Sequence, residues 1–243
     1  MENAMMVGLS RQMTLRRNMD VVANNLANMN TAGFKAEALL FQEYMSEYSG
    51  AAFNEDKLSF VLDRGVARDL TEGQLDSTGA PLDMAISGDG FFVVQTEAGE
   101  RYTRNGHFGT DETGRLITRE GDPVLDDAGQ EIILNLEGGP ITVAADGVIS
   151  TGEAIVARLN IVTFENPAAM KKAGETLLAT DEIPLPAEDA RVAQGVLELS
   201  NVTPVLEITK MIDIMRSYQS VNKLMESSAE LARKAVETLG KPK

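Results

Sequence analysis

Residues 204–239 read PVLEITKMIDIMRSYQSVNKLMESSAELARKAVETL, and residues 5–29 read MMVGLSRQMTLRRNMDVVANNLANM. In the first stretch three-four spacing runs through Ile208, Met211, Met215, Tyr218, Asn222, Met225, Ala229, Ala232, Val236 and Leu239. In the second it runs through Leu15, Met19, Val22, Leu26 and Met29. That period lays one apolar stripe along an α-helix. The spacing predicts terminal helices of roughly 55 Å and roughly 40 Å at about 1.5 Å rise per residue. A stripe of this kind is a seam for another helix.

One seam does not account for all the apolar residues. At about 100° per residue, Met5, Met6, Leu9 and Met13 face more than a quarter-turn away from the Leu15 to Met29 stripe. On the C-terminal helix, Val205, Ile208 and Ile212 widen the stripe beyond a two-stranded seam. Each such side chain is worth roughly 1.5–3 kcal/mol when buried, so several left in water would make a large exposed patch. Several partners per helix is the expectation. Asn222 interrupts the apolar series, either as a polar residue that fixes register at the seam or as a position drifting to the surface.

The ends of these helices carry their own signals. Thr203 is placed as N-cap, Pro204 at the first helical position and Glu207 near the positive end of the macrodipole. The first helix is expected to end near Asn30, with Gly33 taking positive φ behind it. Asn24, Asn25, Asn28 and Asn30 crowd its last turns although asparagine is an indifferent helix former. Two readings stay open: a frayed end whose side chains satisfy terminal carbonyls, or a polar, directional docking surface.

Between the helices the pattern changes. Residues 36–71 read as a connector, with Glu37 to Tyr48 helical or irregular, and Ser59-Phe60-Val61-Leu62 a strand before a turn at Asp63-Arg64-Gly65. From Gly73 to about Val162, short apolar runs alternate with turns at Asn105-Gly106, Glu112-Thr113-Gly114, Glu120-Gly121, Asp126-Asp127-Ala128-Gly129 and Asp146-Gly147. Phe91-Phe92-Val93-Val94 should pair with Arg101-Tyr102-Thr103-Arg104 across Thr96-Glu97-Ala98-Gly99. Asn166-Pro167 is expected to cap a short helix, Ala168 to Lys172, closed by Gly174. Pro184-Leu185-Pro186 marks the exit toward the C-terminal helix. The expected fold is α+β. Residues 1–35 plus 200–243 form a coiled-coil or bundle domain, 36–71 the connector, and 72–199 a mainly antiparallel β domain.

Charge follows the same division. Of a formal net charge of −15, residues 36–199 hold eleven basic and thirty acidic side chains, while both ends are mildly basic. An acidic middle repels phosphates and argues against nucleic acid as its partner. There are no cysteines, so disulfides and thiolate metal sites are excluded. No apolar run of about 18 residues exists, so no membrane insertion is expected. The start Met1-Glu2-Asn3 lacks the basic and apolar regions of a cleaved secretory signal.

Catalytic constellations are thin. Gly88-Asp89-Gly90 fails as a dinucleotide loop because Val93 takes the third glycine position and a strand follows. His107 is the single histidine, read as a hairpin surface residue. Asp83 with Asp89 is one of many carboxylate pairs that thirty acids make by chance, and the acidic turns lack the twelve-residue calcium pattern. Asn201-Val202-Thr203 matches a glycosylation acceptor but sits at a helix start. The expectation is a protein that is no enzyme and takes no cofactor.

Four blocks carry a resemblance. Ala23-Asn24-Asn25-Leu26-Ala27-Asn28-Met29-Asn30-Thr31-Ala32-Gly33-Phe34-Lys35 resembles the N-terminal signature of bacterial flagellar rod and hook proteins. Thr78-Gly79-Ala80-Pro81-Leu82-Asp83-Met84-Ala85-Ile86-Ser87-Gly88-Asp89-Gly90-Phe91-Phe92, Tyr102-Thr103-Arg104-Asn105-Gly106-His107-Phe108 and Leu197-Glu198-Leu199-Ser200-Asn201-Val202-Thr203-Pro204-Val205 resemble family blocks in the expected order. The family's asparagine after Thr78-Gly79 is Ala80 here. Length and the stretch Ser59 to Gly65 resemble a proximal rod subunit, with the distal rod protein the nearest rival.

The resemblance implies a subunit of the axial rod that crosses the periplasm and carries torque from motor to hook. It implies export by the flagellar type III apparatus without a cleaved signal, and terminal helices that order on assembly. It implies as partners copies of itself and neighbouring rod proteins. The assembly interface would comprise Met5, Leu9, Met13, Leu15, Met19, Val22, Asn24, Asn25, Leu26, Asn28, Asn30, Ile208, Met211, Met215, Tyr218, Asn222 and Met225. Two readings from other classes compete: a secreted polysaccharide-binding β protein with helical arms, and a cytoplasmic coiled-coil dimer.

Overall fold

The computed structural model describes residues 2–47 and 57–239. Contacts divide the chain into two units. One gathers the described residues of Met1–Ala27, Glu37–Arg68 and Thr203–Lys243, the other Asn28–Ala36 with Asp69–Val202.

The first unit is built on two helices, α1 (Glu2–Ala27) and α2 (Pro204–Leu239). Gln12 meets Asn222 and Asn25 meets Glu207, so the helices run antiparallel. A Cβ at Gly8 would come within 3.1 Å of the Met225 side chain, which marks a close approach of the two helices. On α2 the buried line is Glu207, Ile214 and Val221, seven residues apart, with Met211, Tyr218 and Met225 half-buried beside it. Ile208 and Met215 fall one position off that line and are exposed. The sequence stripe shares Met211, Tyr218 and Met225 with this face, but it takes Ile208, Met215 and Asn222 over their buried neighbours Glu207, Ile214 and Val221. At its start, Leu206 and Glu207 N–H donate to the Thr203 carbonyl at 3.0 and 3.1 Å.

The first helix ends at Ala27, three residues before the expected Asn30, and residues 28–30 form a turn. Gly33 does take positive φ, +68°, but six residues beyond the helix. It therefore caps nothing. Its backbone lies against that of Arg104 and Asn105, where an added Cβ would sit 2.3 Å from Asn105 N.

Within residues 36–71, Ser59 to Leu62 is a strand as expected, whereas the helical or irregular reading of the segment from Glu37 and the turn after Leu62 do not hold. Glu37–Glu47 is a strand, β1, paired antiparallel with β2 (Lys57–Arg68), and both pack with α1; Tyr48 lies outside the described residues. The Glu, Ala, Leu and Met content of Glu37–Glu47 favours helix locally, but pairing with a partner strand decides. Asp63-Arg64-Gly65 is no turn. Leu40 pairs with Gly65 and Phe41 with Asp63, leaving Arg64 as the extra residue of a β-bulge inside β2. Gly65, at φ +125°, supplies the backbone freedom that signalled a turn.

The second unit holds the expected antiparallel strands. Its six-stranded sheet runs in the order Lys171–Lys172, Leu177–Ala179, Gly99–Thr103, Phe91–Thr96, Ile161–Thr163, Leu185–Pro186. The strand beginning Phe91-Phe92-Val93-Val94 is central and buried on both faces, which explains why its apolar run is continuous. Phe92 and Val94 enter one core cluster with Met84, Ile86, Phe108, Leu116 and Ile149. Phe91 and Val93 enter the other with Tyr102, Phe164 and Leu178. The hairpin to Gly99–Thr103 forms as expected, turning at Glu97-Ala98. Smaller ladders join Arg191–Gln194 to Met84–Ser87 and Val196–Glu198 to Leu75–Ser77.

Two local expectations fail. Pro167–Ala169 is a single 3₁₀ turn without a side-chain cap from Asn166, and Lys171–Lys172 is already an edge strand. Pro184 to Pro186 is no exit: Leu185–Pro186 is the opposite edge of the six-stranded sheet, and two more strands precede α2. Proline at an edge position loses no ladder bond on its open side.

Candidate assembly surface

Asn25 is the most constrained of the four asparagines. It is buried in the helical unit, where Nδ2 donates to the Glu37 carbonyl at 2.7 Å and to Glu207 Oε2 at 3.1 Å, and Oδ1 accepts the Glu37 N–H at 2.9 Å. Lys210 Nζ reaches the other Glu207 oxygen at 2.6 Å. One side chain thus joins α1, α2 and β1. Its amide is used up within the subunit. The others are less enclosed. Asn24 is half-buried, Asn28 is half-buried and accepts from Thr31 Oγ1 at 3.1 Å, and Asn30 is exposed.

Asn222 faces α1, where Gln12 Nε2 donates to its Oδ1. Two half-buried amides bonded across an apolar seam favour one register, because a shift along the axis would strand both. Val22 is buried and Leu15, Met19 and Leu26 half-buried on the inward face of α1. Leu9 and Met13 point outward with Met6, and Met13 is 67% exposed; the side chain of Met5 lies outside the described residues. Ile208 and Met215 are outward, whereas Met211, Tyr218 and Met225 flank the seam. Val21, Glu207, Ile214 and Val221 are inward residues that the sequence stripes omitted.

The β unit carries a polar centre of its own. Lys35, last residue of the Ala23 to Lys35 block, is buried and places Nζ 2.5 Å from both Glu198 Oε1 and the Thr71 carbonyl. Gly73 N–H donates to the same Glu198 oxygen at 2.9 Å. Arg104 Nη1 lies 3.5 Å from Glu198 Oε2, and the guanidinium donates to Ile86 and Gly88 carbonyls at 3.1 and 2.8 Å. Its carbon sits 5.7 Å from the Phe91 ring centre. Burial pushes the Lys35 ammonium below its ordinary range, outweighing the opposing pull of the Glu198 carboxylate.

Other polar groups are committed as well. Asp83 is buried, accepting from Thr78 Oγ1 at 2.6 Å and lying 2.9 Å from His107 Nδ1. His107 is therefore a tethered, half-exposed residue, more fixed than a plain surface position. Asn201 uses both ends of its amide, accepting from Ala36 N and donating to the Asp69 carbonyl. Among the described residues no group of three metal-ligating side chains gathers.

Comparison with known proteins places these features. Residues 5–35 match the family described as flagella basal body rod protein, and residues 85–151 match the flagellar hook protein FlgE/F/G D1 domain. Residues 193–238 match the flagellar basal body rod FlgEFG protein C-terminal family. The chain is 49% identical to the flagellar basal-body rod protein FlgF of Caulobacter vibrioides, with 99% of each chain covered. The chain belongs to the flagellar basal-body rod protein family.

Within this rod family the likeness runs to FlgF. The FlgF of Mesorhizobium japonicum is 35% identical with 99% of each chain covered, and the rod protein FlgG of Bacillus subtilis 30% identical over 94% of this chain and 96% of its own. The chain is a structural subunit of the basal-body rod. The Asn25 junction and Lys35 both fall in the 5–35 match, and Glu198, Glu207, Ile214, Val221 and Asn222 in the 193–238 match.

Proposed function

We propose that this chain polymerises through its terminal helices into the proximal part of the rod, each helix packing against several neighbouring subunits, and that torque passes through those shared contacts. The observation that carries the reading is the distribution of apolar side chains around α2. Glu207, Ile214 and Val221 face α1. Val205, Ile208, Ile212 and Met215 form one outward stripe, and Leu206, Leu224 and Leu231 a second, with Val205 75% and Leu224 70% exposed. At 100° per residue the two stripes lie roughly 130° apart, the first about 140° and the second about 90° from the buried line.

Three faces spaced this way suit a helix with three helical neighbours, of which the subunit supplies one. On α1, Met6, Leu9 and Met13 form a further outward stripe, roughly 140° from the Val22 face. Contiguous apolar stripes on an isolated chain mark surfaces that meet other chains. A helical array built from unlike faces covers both sides of every subunit without closing into a dimer. Nearby copies and other rod proteins are the partners. Packing in a bundle gives the helices their stability, since most helical stability comes from tertiary support.

Export through the flagellar type III apparatus, to a rod that spans the periplasm, completes the reading. Helices that pair only weakly in the monomer and gain their full order on assembly would keep the exported chain threadable, because most of the entropy of ordering is then met by assembly contacts. Substituting Met215→Asp or Leu9→Asp in cells tests it: motility is lost while the level of secreted protein stays normal. Normal motility with both changes would sink the role of the outward stripes. Hydrogen exchange on the dilute monomer gives an independent check, since strong protection of both helices before assembly contradicts ordering on assembly.

A further inference from the structure

The chain passes between its two units four times, after Ala27, Ala36, Arg68 and Val202. On the β side these passages are tied to one another. Asp69 N–H donates to the Ala36 carbonyl at 2.8 Å, and Ala36 N–H donates to Asn201 Oδ1 at 2.7 Å. Asn201 Nδ2 donates to the carbonyls of Asp69 and Thr71 at 2.9 and 3.2 Å. Gly33 N–H donates to the Glu198 carbonyl at 2.7 Å, and Leu199 N–H to the Gln74 carbonyl at 2.8 Å. The same three segments, 28–36, 69–74 and 198–202, meet in the Lys35 and Glu198 ion pair, and Arg104 fastens that pair to the core strand Met84–Ser87.

We propose that the Lys35, Glu198 and Arg104 cluster is a load-bearing clamp. It holds the segments through which the helical unit is attached as one body, so that load on the helices enters the β unit through all four covalent passages together. The inference deepens the reading of the chain as a torque-carrying rod subunit and rests on it.

Three observations support it. Glu198 is 1% exposed and takes bonds from three different segments, through Lys35, Gly73 and Arg104. Pulling any one segment therefore strains bonds to the other two. The backbones also touch directly: a Cβ at Gly33 would lie 2.3 Å from Asn105 N, and one at Gly73 1.9 Å from the Leu199 carbonyl oxygen. Such a junction has no slack to absorb extension. Finally, a buried ion cluster is a poor device for stability alone, since apolar replacements of similar volume are often as stable. What charged groups add here is direction, because each bond fixes a particular pair of segments.

The chain contains no cysteine, so Ala27→Cys at the end of α1 and Glu112→Cys in an exposed turn of the β unit provide unique handles for single-molecule pulling on the full chain. The parent is expected to resist to a higher force than Glu198→Gln and Lys35→Met, since the load enters segment 28–36 directly and does not have to cross the helices. Arg158→Met, which removes only an exposed pair with Asp146, serves as control and leaves the yield force unchanged. Should Glu198→Gln fail to fold, Lys35→Met decides, since it leaves Glu198 paired with Arg104. A folded Lys35→Met chain that yields at the parent's force overturns the clamp. In cells, Lys35→Met is expected to build rods yet lose swimming as viscosity is raised. Full swimming in viscous medium with rods formed counts against the clamp alone, whereas motility unaffected by Met215→Asp and Leu9→Asp counts against the rod-packing reading.

Discussion

Asn25 Nδ2 lies 3.1 Å from Glu207 Oε2, a buried amide presenting its donor to a buried carboxylate across the α1 and α2 seam. The sign of that contact makes it testable. Asn25→Ala removes the bonds to the Glu37 N–H, the Glu37 carbonyl and Glu207 Oε2, at about 1–3 kcal/mol for each buried group it strands. Asn25→Asp keeps the shape but sets a carboxylate against a carboxylate in a place poorly screened by water. Urea denaturation at pH 7 is expected to rank Asn25→Asp below Asn25→Ala, with the gap closing as pH falls through the carboxylate range. The reverse order would mean that Glu207 is not held where the structure puts it.

Two glycines of the β unit separate backbone conformation from crowding. Gly33 and Gly79 have nearly the same φ, +68° and +71°, so alanine brings the same left-handed strain of about 1–2 kcal/mol at either site. Around Gly79 nothing lies within 4 Å of an added Cβ, whereas at Gly33 the Cβ meets backbone of Arg104 and Asn105 inside 2.5 Å. Backbone packed against backbone has no flexible end to move aside. Gly79→Ala is expected to lower stability by about the strain alone, and Gly33→Ala to lower it far more. Equal midpoints in denaturant would show that residues 28–36 are not pinned to the Arg104 turn.

Local chemistry made the helices and the central hairpin legible. Phe91 to Val94 is continuous because both faces are buried, and the turn after it is short enough to fix its partner from spacing. The polar cluster was out of reach for the opposite reason. Lys35 and Glu198 are 163 residues apart and neither lies in a patterned run, so nothing local announces their contact. The α2 seam shows another limit: apolar residues stand at Ile208 and Met215 beside the buried Ile214 and Val221, so spacing alone does not choose between adjacent lines, and the one polar member of the buried line, Glu207, gives no apolar signal. The β1 and β2 hairpin shows a related limit, since its pairing outweighs a helix-favouring composition only once the partner strand is present.

The inward and outward faces of α2 predict opposite behaviour on substitution. Ile214 is buried against the seam, and Ile214→Ala should remove about 2–5 kcal/mol from the pairing of α1 with α2, read in the free monomer as loss of helix by circular dichroism. Leu224→Gln sits on an exposed stripe and should change monomer stability by no more than about 0.5 kcal/mol. The order reverses for assembly. Leu224→Gln is expected to reduce incorporation into rods, measured on isolated basal bodies, despite a folded and secreted monomer. A variant with both normal stability and normal incorporation would remove Leu224 from the interface.

Lys35 gives the β unit a pH signature. Burial holds its folded pKa below 10.5, the ordinary value it regains in the unfolded chain. Between the two values the unfolded state binds more protons than the folded state, so stability rises with pH across that window. Tyr102 works in the other direction, because burial raises its phenol above 10.0 and stability falls once the unfolded phenol ionises. Lys35→Met retains the tyrosine and lacks the lysine, so the difference between the two chains isolates the lysine. The parent is expected to gain stability relative to Lys35→Met as pH climbs toward 10.5, measured by denaturant midpoints at successive alkaline pH values. A parent that loses ground to Lys35→Met over that range would mean that the Glu198 carboxylate outweighs burial, and that the ammonium is better stabilised in the fold than in water.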